Sequence, residues 1–203
     1  MAPDMLTSHP IKRPCICVFC GSSFGASPDY AAAAQSFGTL MVERGFDLVF
    51  GGGGLGLMGE TAKAASLAGG HVTGIIPNFL KHLEPPLKIS SEIVFTKGMS
   101  DRKVRMFELA DAFVILPGGI GTLDEFSEAL TEAQLDQHMK PIVIVNINNF
   151  YAPLLALLDH YVAQRFADAR IKSLYKVVPT VEQALEILAA HFAVDAHAGA
   201  PSR

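Results

Sequence analysis

A glycine-rich turn that runs into an acidic segment carries the residue types best suited to chemistry in this sequence. Residues 117–125 read PGGIGTLDE and follow an apolar run at 112–116. The pattern predicts a buried strand, a turn free of bulky side chains and the start of a helix whose backbone N–H groups can bind an anion. Glu125 would then lie one helical turn from that anion. A nucleotide phosphate with a cleavable bond nearby is the simplest ligand for such a site.

Glu125 also has a purely structural interpretation. Thr122 and Glu125 have the spacing of a capping box, in which the glutamate side chain bonds back to the start of the helix. This alternative predicts that the helix begins at Thr122 and that Glu125 takes no part in a reaction. The spacing of the two residues leaves both interpretations open.

A second segment places two cations upstream of the acidic turn. Ser100 is expected to be the N-cap of a helix, which puts Arg102 and Lys103 in its first turn. Positive charges there oppose the helix dipole, so a bound anion explains their position better than helix stability does. The alternative is two solvated charges on an exposed turn.

An earlier glycine run, at 51–59, contains a Gly-x-Gly-x-x-Gly match at Gly54, Gly56 and Gly59. A dinucleotide site also needs an acidic residue about 20 positions later, at the end of the next strand, to bind a ribose hydroxyl. The predicted strand at 71–76 is followed by Pro-Asn-Phe, with no carboxylate. We therefore expect that the backbone of this glycine run forms a wall beside a bound mononucleotide and not an NAD site. The alternative is that the run is only a tight structural turn between a strand and a helix.

The composition narrows the class of protein. With 203 residues and a formal net charge of −4, the chain is expected to form one domain and not to bind nucleic acid. No apolar run is long enough to cross a membrane, and the first residues lack the apolar centre of a secretory signal. Cys15, Cys17 and Cys20 fall in or just after one predicted strand. We expect core cysteines in a reducing cytoplasm and no metal site, since zinc needs four ligands.

Apolar runs alternate with helical patterns along the chain. Most runs are nearly continuous in Val, Ile, Leu and Phe, which is typical of parallel strands covered on both faces. We predict an α/β fold: a single-domain, Rossmann-like, doubly wound parallel sheet with helices on both faces, at 13–193, between mobile tails at 1–12 and 194–203. Both glycine turns leave carboxyl ends of strands, so they are expected to line one cleft. The predicted strands are 14–20, 46–50, 71–76, 92–96, 112–116, 141–146 and 175–178. The first predicted helix begins at Pro28, and the later helices are predicted at 57–68, 100–110, 122–138, 150–165 and 180–192.

Together these segments resemble the Lonely Guy (LOG) family of nucleotide phosphoribohydrolases. The resemblance rests on residues 20–23, 56–59, 99–103 and 117–125, and it continues through 133–135 and 140–141. It implies hydrolysis of the N-glycosidic bond of AMP or of an N6-modified AMP, the latter releasing active cytokinin, by a homodimer that needs no cofactor. It implies that Arg102 and Glu125 are catalytic. The nucleotide contacts that it implies are Glu84, Arg102, Lys103, Gly118, Gly119, Ile120, Gly121, Thr122, Leu123, Asp124 and Thr131.

Two positions depart from the family pattern: Ser100 stands where histidine is usual, and Glu132 where tryptophan is usual. Many relatives carry the name lysine decarboxylase, yet no recognisable lysine context for pyridoxal phosphate is present. The remaining alternative is a carrier or sensor that binds a nucleotide or nucleotide-like cofactor without cleaving it. Arg102 and Glu125 argue against a carrier, because a pure binder has no need of a carboxylate beside a phosphate.

Overall fold

The computed structural model describes residues 13–82 and 87–198. The predicted N-terminal tail at 1–12 lies outside the described residues, and so does Glu84, one of the nucleotide contacts that the resemblance implied. Within the described chain, none of the helices combines the length and apolar character needed to cross a membrane.

Seven strands form one sheet in which every neighbouring pair is parallel. They are β1 (Cys15–Phe19), β2 (Asp47–Phe50), β3 (Val72–Pro77), β4 (Glu92–Thr96), β5 (Ala112–Ile115), β6 (Ile142–Val145) and β7 (Lys176–Val178). Their order across the sheet is β4-β3-β2-β1-β5-β6-β7. The chain therefore winds outward from β1 in one direction and from β5 in the other, which confirms the predicted doubly wound α/β sheet.

Helices cover both faces of the sheet, also as predicted. They are α1 (Pro28–Glu43), α2 (Gly56–Leu67), α3 (Met99–Leu109), α4 (Ile120–Gln134), α5 (Ala152–Ala163) and α6 (Val181–Ala198). Residues of α1, α2 and α6 join the apolar core on one face, and residues of α3, α4 and α5 join the core on the other. Every residue of β5 and β6 is buried between these layers, which is why both strands are entirely apolar. The last helix ends at Ala198, beyond the domain boundary predicted at 193.

The helix that carries the two cations begins earlier than the sequence predicted. Gly98 is the N-cap of α3, so the assignment of Ser100 as the cap is wrong. Gly98 adopts an extended backbone, and its carbonyl oxygen accepts a hydrogen bond from Arg102 N at 3.1 Å. Helix entry here needs no side-chain cap, and Arg102 and Lys103 consequently lie in the second turn.

The acidic helix α4 also begins at a glycine. Gly119 is its N-cap, and the Gly119 carbonyl oxygen accepts from Leu123 N at 3.0 Å. Thr122 is therefore the third residue of the helix and cannot cap it. The capping-box interpretation of Glu125 requires Thr122 at the N-cap, so the observed helix start excludes it.

The winding direction reverses between β1 and β5, which are neighbours in the sheet. The loops that follow β2, β1 and β5 consequently leave the same edge of the sheet side by side. The loops after β1 and β5 are joined directly, because Gly21 N donates to the Pro117 carbonyl oxygen at 3.0 Å. Gly51 of the turn after β2 and Gly119 of the turn after β5 line the same cavity at this edge, which confirms that both glycine turns line one cleft.

Candidate active site

A cavity of about 190 Å³ opens between the loops that follow β1, β2 and β5. It lies at the carboxyl edge of the sheet and at the reversal point of the winding, where open α/β sheets bind their ligands. Glycine backbone and two buried charged side chains make up much of its surface. The lining residues are Val18, Cys20, Gly21, Ser22, Gly51, Met58, Arg102, Gly119, Ile120, Gly121, Thr122 and Glu125.

Arg102 reaches the cavity from α3, and only 7% of its surface is exposed. Its Nη2 donates to the Gly51 carbonyl oxygen at 3.2 Å and lies 3.8 Å from Glu125 Oε1. Its Nε is buried and has no hydrogen-bond partner among the described residues. An unpaired buried donor is costly, so Arg102 has one unsatisfied N–H beside the cavity that it lines.

The first glycine turn gives Arg102 the space that its guanidinium needs. A Cβ atom at Gly51 would lie 1.9 Å from Arg102 Nη2 and 2.9 Å from the sulfur of Met58. No side chain larger than hydrogen fits there unless the arginine moves. Gly51 and Met58 both line the cavity, so this turn contributes to its wall. That a mononucleotide lies against this wall stays a prediction.

Glu125 lies in the second turn of α4 and is 7% exposed. The Arg102 guanidinium beside it provides a compensating positive charge. Cys20 also borders the cavity, and burial together with the Glu125 carboxylate raises the pKa of Cys20 to about 12. Cys20 is thus a protonated thiol at neutral pH and a poor nucleophile. Between the two, Glu125 is the group suited to act as a base or to stabilise a cation.

The first turn of α4 faces the same cavity through Gly119, Ile120, Gly121 and Thr122. Backbone N–H groups in the first turn of a helix have no carbonyl partner within it, so they can bind an anion. Apart from the adjacent residues and the backbone of α4 itself, no atom lies within 4 Å of the position that a Cβ would take at Gly119 or Gly121. A ligand can therefore approach the backbone closely at both glycines.

Gly118 has a different reason to be glycine. A Cβ there would lie 2.1 Å from Thr122 Oγ1, so the turn into α4 closes only without a side chain at this position. Gly118 lines a separate, mainly apolar cavity of about 220 Å³ on the other side of the loop. Its contribution to the first cavity is therefore to shape the loop.

Lys103, in contrast, lies outside the cavity lining and connects α3 with α4. Its Nζ is 2.9 Å from Asp124 Oδ2 and 2.5 Å from Glu128 Oε2. Hydrogen bonding to Glu128, and then to Asp124, raises the pKa of Lys103. These ion pairs explain why a cation occupies this position, so Lys103 does not need a bound anion, contrary to the prediction.

The remaining predicted contacts lie apart from the cavity. Leu123 and Thr131 line a groove of about 330 Å³ between α4 and α5. The Thr131 hydroxyl donates to the Ser127 carbonyl oxygen at 2.7 Å within its own helix. Within one described chain, neither residue is placed to touch a ligand in the first cavity.

Sequence reasoning did not assign site roles to several residues that line the cavity. Cys20, Gly21 and Ser22 follow β1, the strand next to the reversal point, and Gly21 O accepts from Met58 N at 3.1 Å. Their position at the carboxyl end of the first strand was an available signal. It becomes specific only when the neighbours of β1 are known.

Comparison with known proteins identifies the family. A family model described as "Possible lysine decarboxylase" matches residues 58–188. Cytokinin riboside 5′-monophosphate phosphoribohydrolase LOG of Oryza sativa subsp. japonica is 42% identical over 168 residues, which cover 83% of this chain and 69% of the rice protein. The chain belongs to the Lonely Guy (LOG) family. Cytokinin riboside 5′-monophosphate phosphoribohydrolase LOG7 of Arabidopsis thaliana is 41% identical over 177 residues, or 87% of this chain and 81% of that protein.

The LOG fold also occurs in a solved structure of a differently named protein. The molybdenum cofactor binding protein from the phototrophic bacterium Rippkaea orientalis superposes with a TM-score of 0.70 at 22% identity. The superposition covers 90% of this chain and 99% of the other. At this identity the likeness shows the shared fold.

Proposed function

We propose that this LOG-family chain hydrolyses the N-glycosidic bond of adenosine 5′-monophosphate and its N6-modified derivatives, releasing the free base and ribose 5-phosphate. The observation that carries this proposal is the buried Arg102–Glu125 pair in a cavity that also contains the open N-terminus of α4. The names of the rice and Arabidopsis relatives support the same reaction.

Glu125 takes the central chemical role. Cleavage of the ribosyl–base bond gives its electron pair to the base and leaves positive charge on C1′ and the ring oxygen of the sugar. A carboxylate stabilises such an oxocarbenium-like transition state and can accept a proton from the attacking water, as in other glycoside hydrolases. Because Glu125 is 7% exposed, little solvent screens this interaction.

Arg102 orients the reacting groups. Its hydrogen bond to the Gly51 carbonyl oxygen holds the guanidinium beside Glu125. The positive charge lies 3.8 Å from the Glu125 carboxylate and offsets part of the cost of burying it. The Arg102 Nε–H has no hydrogen-bond partner among the described residues, and in this proposal a nucleotide oxygen accepts from it.

The 5′-phosphate binds at the N-terminus of α4. Amide N–H groups of residues 120–122 lie at the positive end of the helix dipole, and the glycines keep the approach open. Phosphate binding there supplies positional energy at a distance from the bond that breaks. The sugar would then extend from the phosphate towards Glu125.

Lysine decarboxylation receives no support from this site. A lysine that forms a Schiff base is normally activated by a lowered pKa. Lys103, the lysine next to Arg102, has a raised pKa because it is paired with Glu128 and Asp124. It is therefore held as a charged ion-pair partner.

We also propose that the enzyme is a cytoplasmic homodimer. Exposed apolar side chains border the groove between α4 and α5, including Leu157, Tyr161 and Phe166, which is 88% exposed. The same face on a second copy could cover them about a two-fold axis. Cys17 is a free thiol buried in the apolar core, and a reducing compartment keeps such thiols reduced.

A base-release assay tests the proposed reaction. The purified protein is incubated with AMP, with isopentenyladenosine 5′-monophosphate and with adenosine, and released base and ribose 5-phosphate are measured by chromatography. We expect base from at least one of the two monophosphates and much less from adenosine, which lacks the phosphate. Tight nucleotide binding with no base from either monophosphate would instead favour the carrier.

A further inference from the structure

The loop that forms the anion-binding end of the cavity is anchored on both sides. Towards β1, Gly21 N donates to the Pro117 carbonyl oxygen at 3.0 Å. Towards α5, the Tyr151 hydroxyl donates to the Leu116 carbonyl oxygen at 2.7 Å. The two acceptors are consecutive residues, and they directly precede the glycines that lead into α4.

Tyr151 is itself rigidly held. It directly precedes α5, is 6% exposed, and its backbone N–H donates to Asn146 Oδ1 at 2.7 Å. Its ring also meets the Phe150 ring edge-on, with centroids 4.9 Å apart. Burial raises the pKa of Tyr151, so the hydroxyl stays a neutral donor. The end of β6 is thereby connected through Asn146 and Tyr151 to the end of β5.

Such an anchor matters because of the residues that follow it. Gly118 and Gly119 have the greatest backbone freedom of any residue type, yet the amides beyond them must be in place before an anion binds. Fixing the carbonyls of Leu116 and Pro117 restricts the point from which the glycine turn departs. A small displacement of groups that bind a substrate can cost a large factor in rate or affinity.

We propose that Tyr151 is a positioning residue for phosphate binding and acts through its hydrogen bond to the Leu116 carbonyl oxygen. Tyr151 does not line the cavity itself, so its effect is transmitted by the backbone of the loop. The inference rests on the proposed function, in which residues 120–122 bind the 5′-phosphate. The competing view is that Tyr151 only fills the core, where its ring is one member of an apolar cluster.

The Tyr151→Phe variant separates these two views, because it keeps the ring and removes the hydroxyl. We expect the KM for AMP to rise at least about 10-fold and the affinity for ribose 5-phosphate to fall by a similar factor, with kcat within about 3-fold of wild type. Steady-state kinetics and calorimetric titration with ribose 5-phosphate measure these quantities. Tyr175→Phe is the matched control, since Tyr175 is also buried but directly precedes β7, and its ring packs against Phe126 of α4 instead of the loop.

A lower melting temperature with unchanged KM and unchanged ribose 5-phosphate affinity would overturn the proposal, and so would an equal loss of affinity in the Tyr175→Phe control. If Tyr151→Phe does not fold, Asn146→Ala tests the same connection, because it removes the acceptor of the Tyr151 backbone N–H. It is expected to weaken ribose 5-phosphate binding, and wild-type affinity in this variant would contradict the inference.

The experiments distinguish failure of the proposed hydrolysis from failure of the proposed role of Tyr151. If the wild type releases no base but binds ribose 5-phosphate or inorganic phosphate, the titrations still compare Tyr151→Phe with wild type. Loss of phosphate affinity in the variant would then support the positioning role of Tyr151, although the proposed hydrolysis had been refuted. Unchanged affinity would refute the positioning role as well.

Discussion

Arg102 and Glu125 are the buried charged residues of the described core, and they lie together at the cavity. Burial of an ion costs several kcal/mol, and apolar side chains of similar volume often stabilise a core as well as an ion pair does. Stability by itself therefore gives little reason for the pair. A reaction that needs a carboxylate shielded from water and an arginine beside it accounts for both residues.

Replacing Glu125 by glutamine tests this assignment at the residue scale. The change keeps the side-chain volume and removes the charge, so the transition state loses its stabilising carboxylate. We expect kcat for AMP to fall at least about 100-fold, while circular dichroism remains that of a folded protein. Glu108→Gln, which alters an exposed glutamate paired with Arg105, is the control and should retain wild-type kcat. Wild-type kcat combined with a lower melting temperature would instead mean that Glu125 is structural.

At the scale of elements, the site depends on how α3 lies against α4. Arg102 is on α3, whereas Glu125 and the open N–H groups are on α4. Lys103 joins these helices through ion pairs with Asp124 and Glu128. We infer that the bridge contributes to keeping Arg102 and Glu125 in register.

The Lys103 bridge predicts a specific pH dependence of stability. The folded state raises the pKa of Lys103 above its ordinary value of 10.5, so folding favours the protonated amine. Its contribution is complete below that value and is lost as the pH rises through the higher pKa of the folded state. Lys103→Met should lower the free energy of unfolding by up to about 1 kcal/mol at pH 8.

Urea unfolding of wild type and Lys103→Met at several pH values checks this prediction. The difference between the two proteins should be constant from neutral pH to about 9.5 and should shrink above the ordinary lysine pKa. Lys63→Met is a matched control, because Lys63 is more exposed than Lys103 and pairs with one carboxylate instead of two, so it should contribute less. A difference that stays constant to high pH would contradict the bridge.

At the scale of the whole molecule, α4 contributes to two surfaces. Its N-terminus faces the cavity, and its other side borders the apolar groove against α5. If a second copy covers that groove, formation of the dimer also restrains the helix that carries Glu125. Assembly and activity would then be linked through α4.

A charge on the α5 side of the groove should separate the two copies. Leu157→Glu places the same charge on both copies across a two-fold interface, where desolvation and repulsion oppose association. We expect sedimentation velocity to show a dimer for wild type and a monomer for the variant at micromolar concentration. Leu67→Glu, at an 85% exposed position at the end of α2, should remain dimeric. A monomeric wild type would refute the proposed dimer.

Much of the fold followed from patterns within short segments. All seven strands occur where the sequence predicted them, and β4 has the predicted bounds. The reason is clearest for β5 and β6, which must be apolar because helices bury them on both faces. The start of α1 was also predicted correctly: Ser27 caps the helix before Pro28, and its Oγ accepts a hydrogen bond from Asp29 N at 3.3 Å. Such features depend on residues that are close in sequence, so they can be predicted from the sequence alone.

In contrast, the sequence did not predict the residues at which α3 and α4 begin. Both begin at a glycine with extended backbone and no side-chain cap, whereas sequence reasoning favoured Ser100 and Thr122, which have capping side chains. The loop geometry at the sheet edge decides where these helices begin. That geometry depends on contacts such as Gly21 N with the Pro117 carbonyl oxygen, which join distant parts of the chain.

By itself the sequence determined the alternation of strands and helices, the two glycine turns at strand ends, and the candidacy of Arg102 and Glu125. Only the tertiary structure decided that β1 lies between β2 and β5, which brings Arg102 to a carbonyl 51 residues away and beside Glu125. It also decided that Lys103 turns to the carboxylates of α4. The physical reason is the sequence distance over which the interactions act. Helix and strand propensity and hydrophobic periodicity depend on a few neighbouring residues, whereas strand order and side-chain direction are set by packing across the whole sheet.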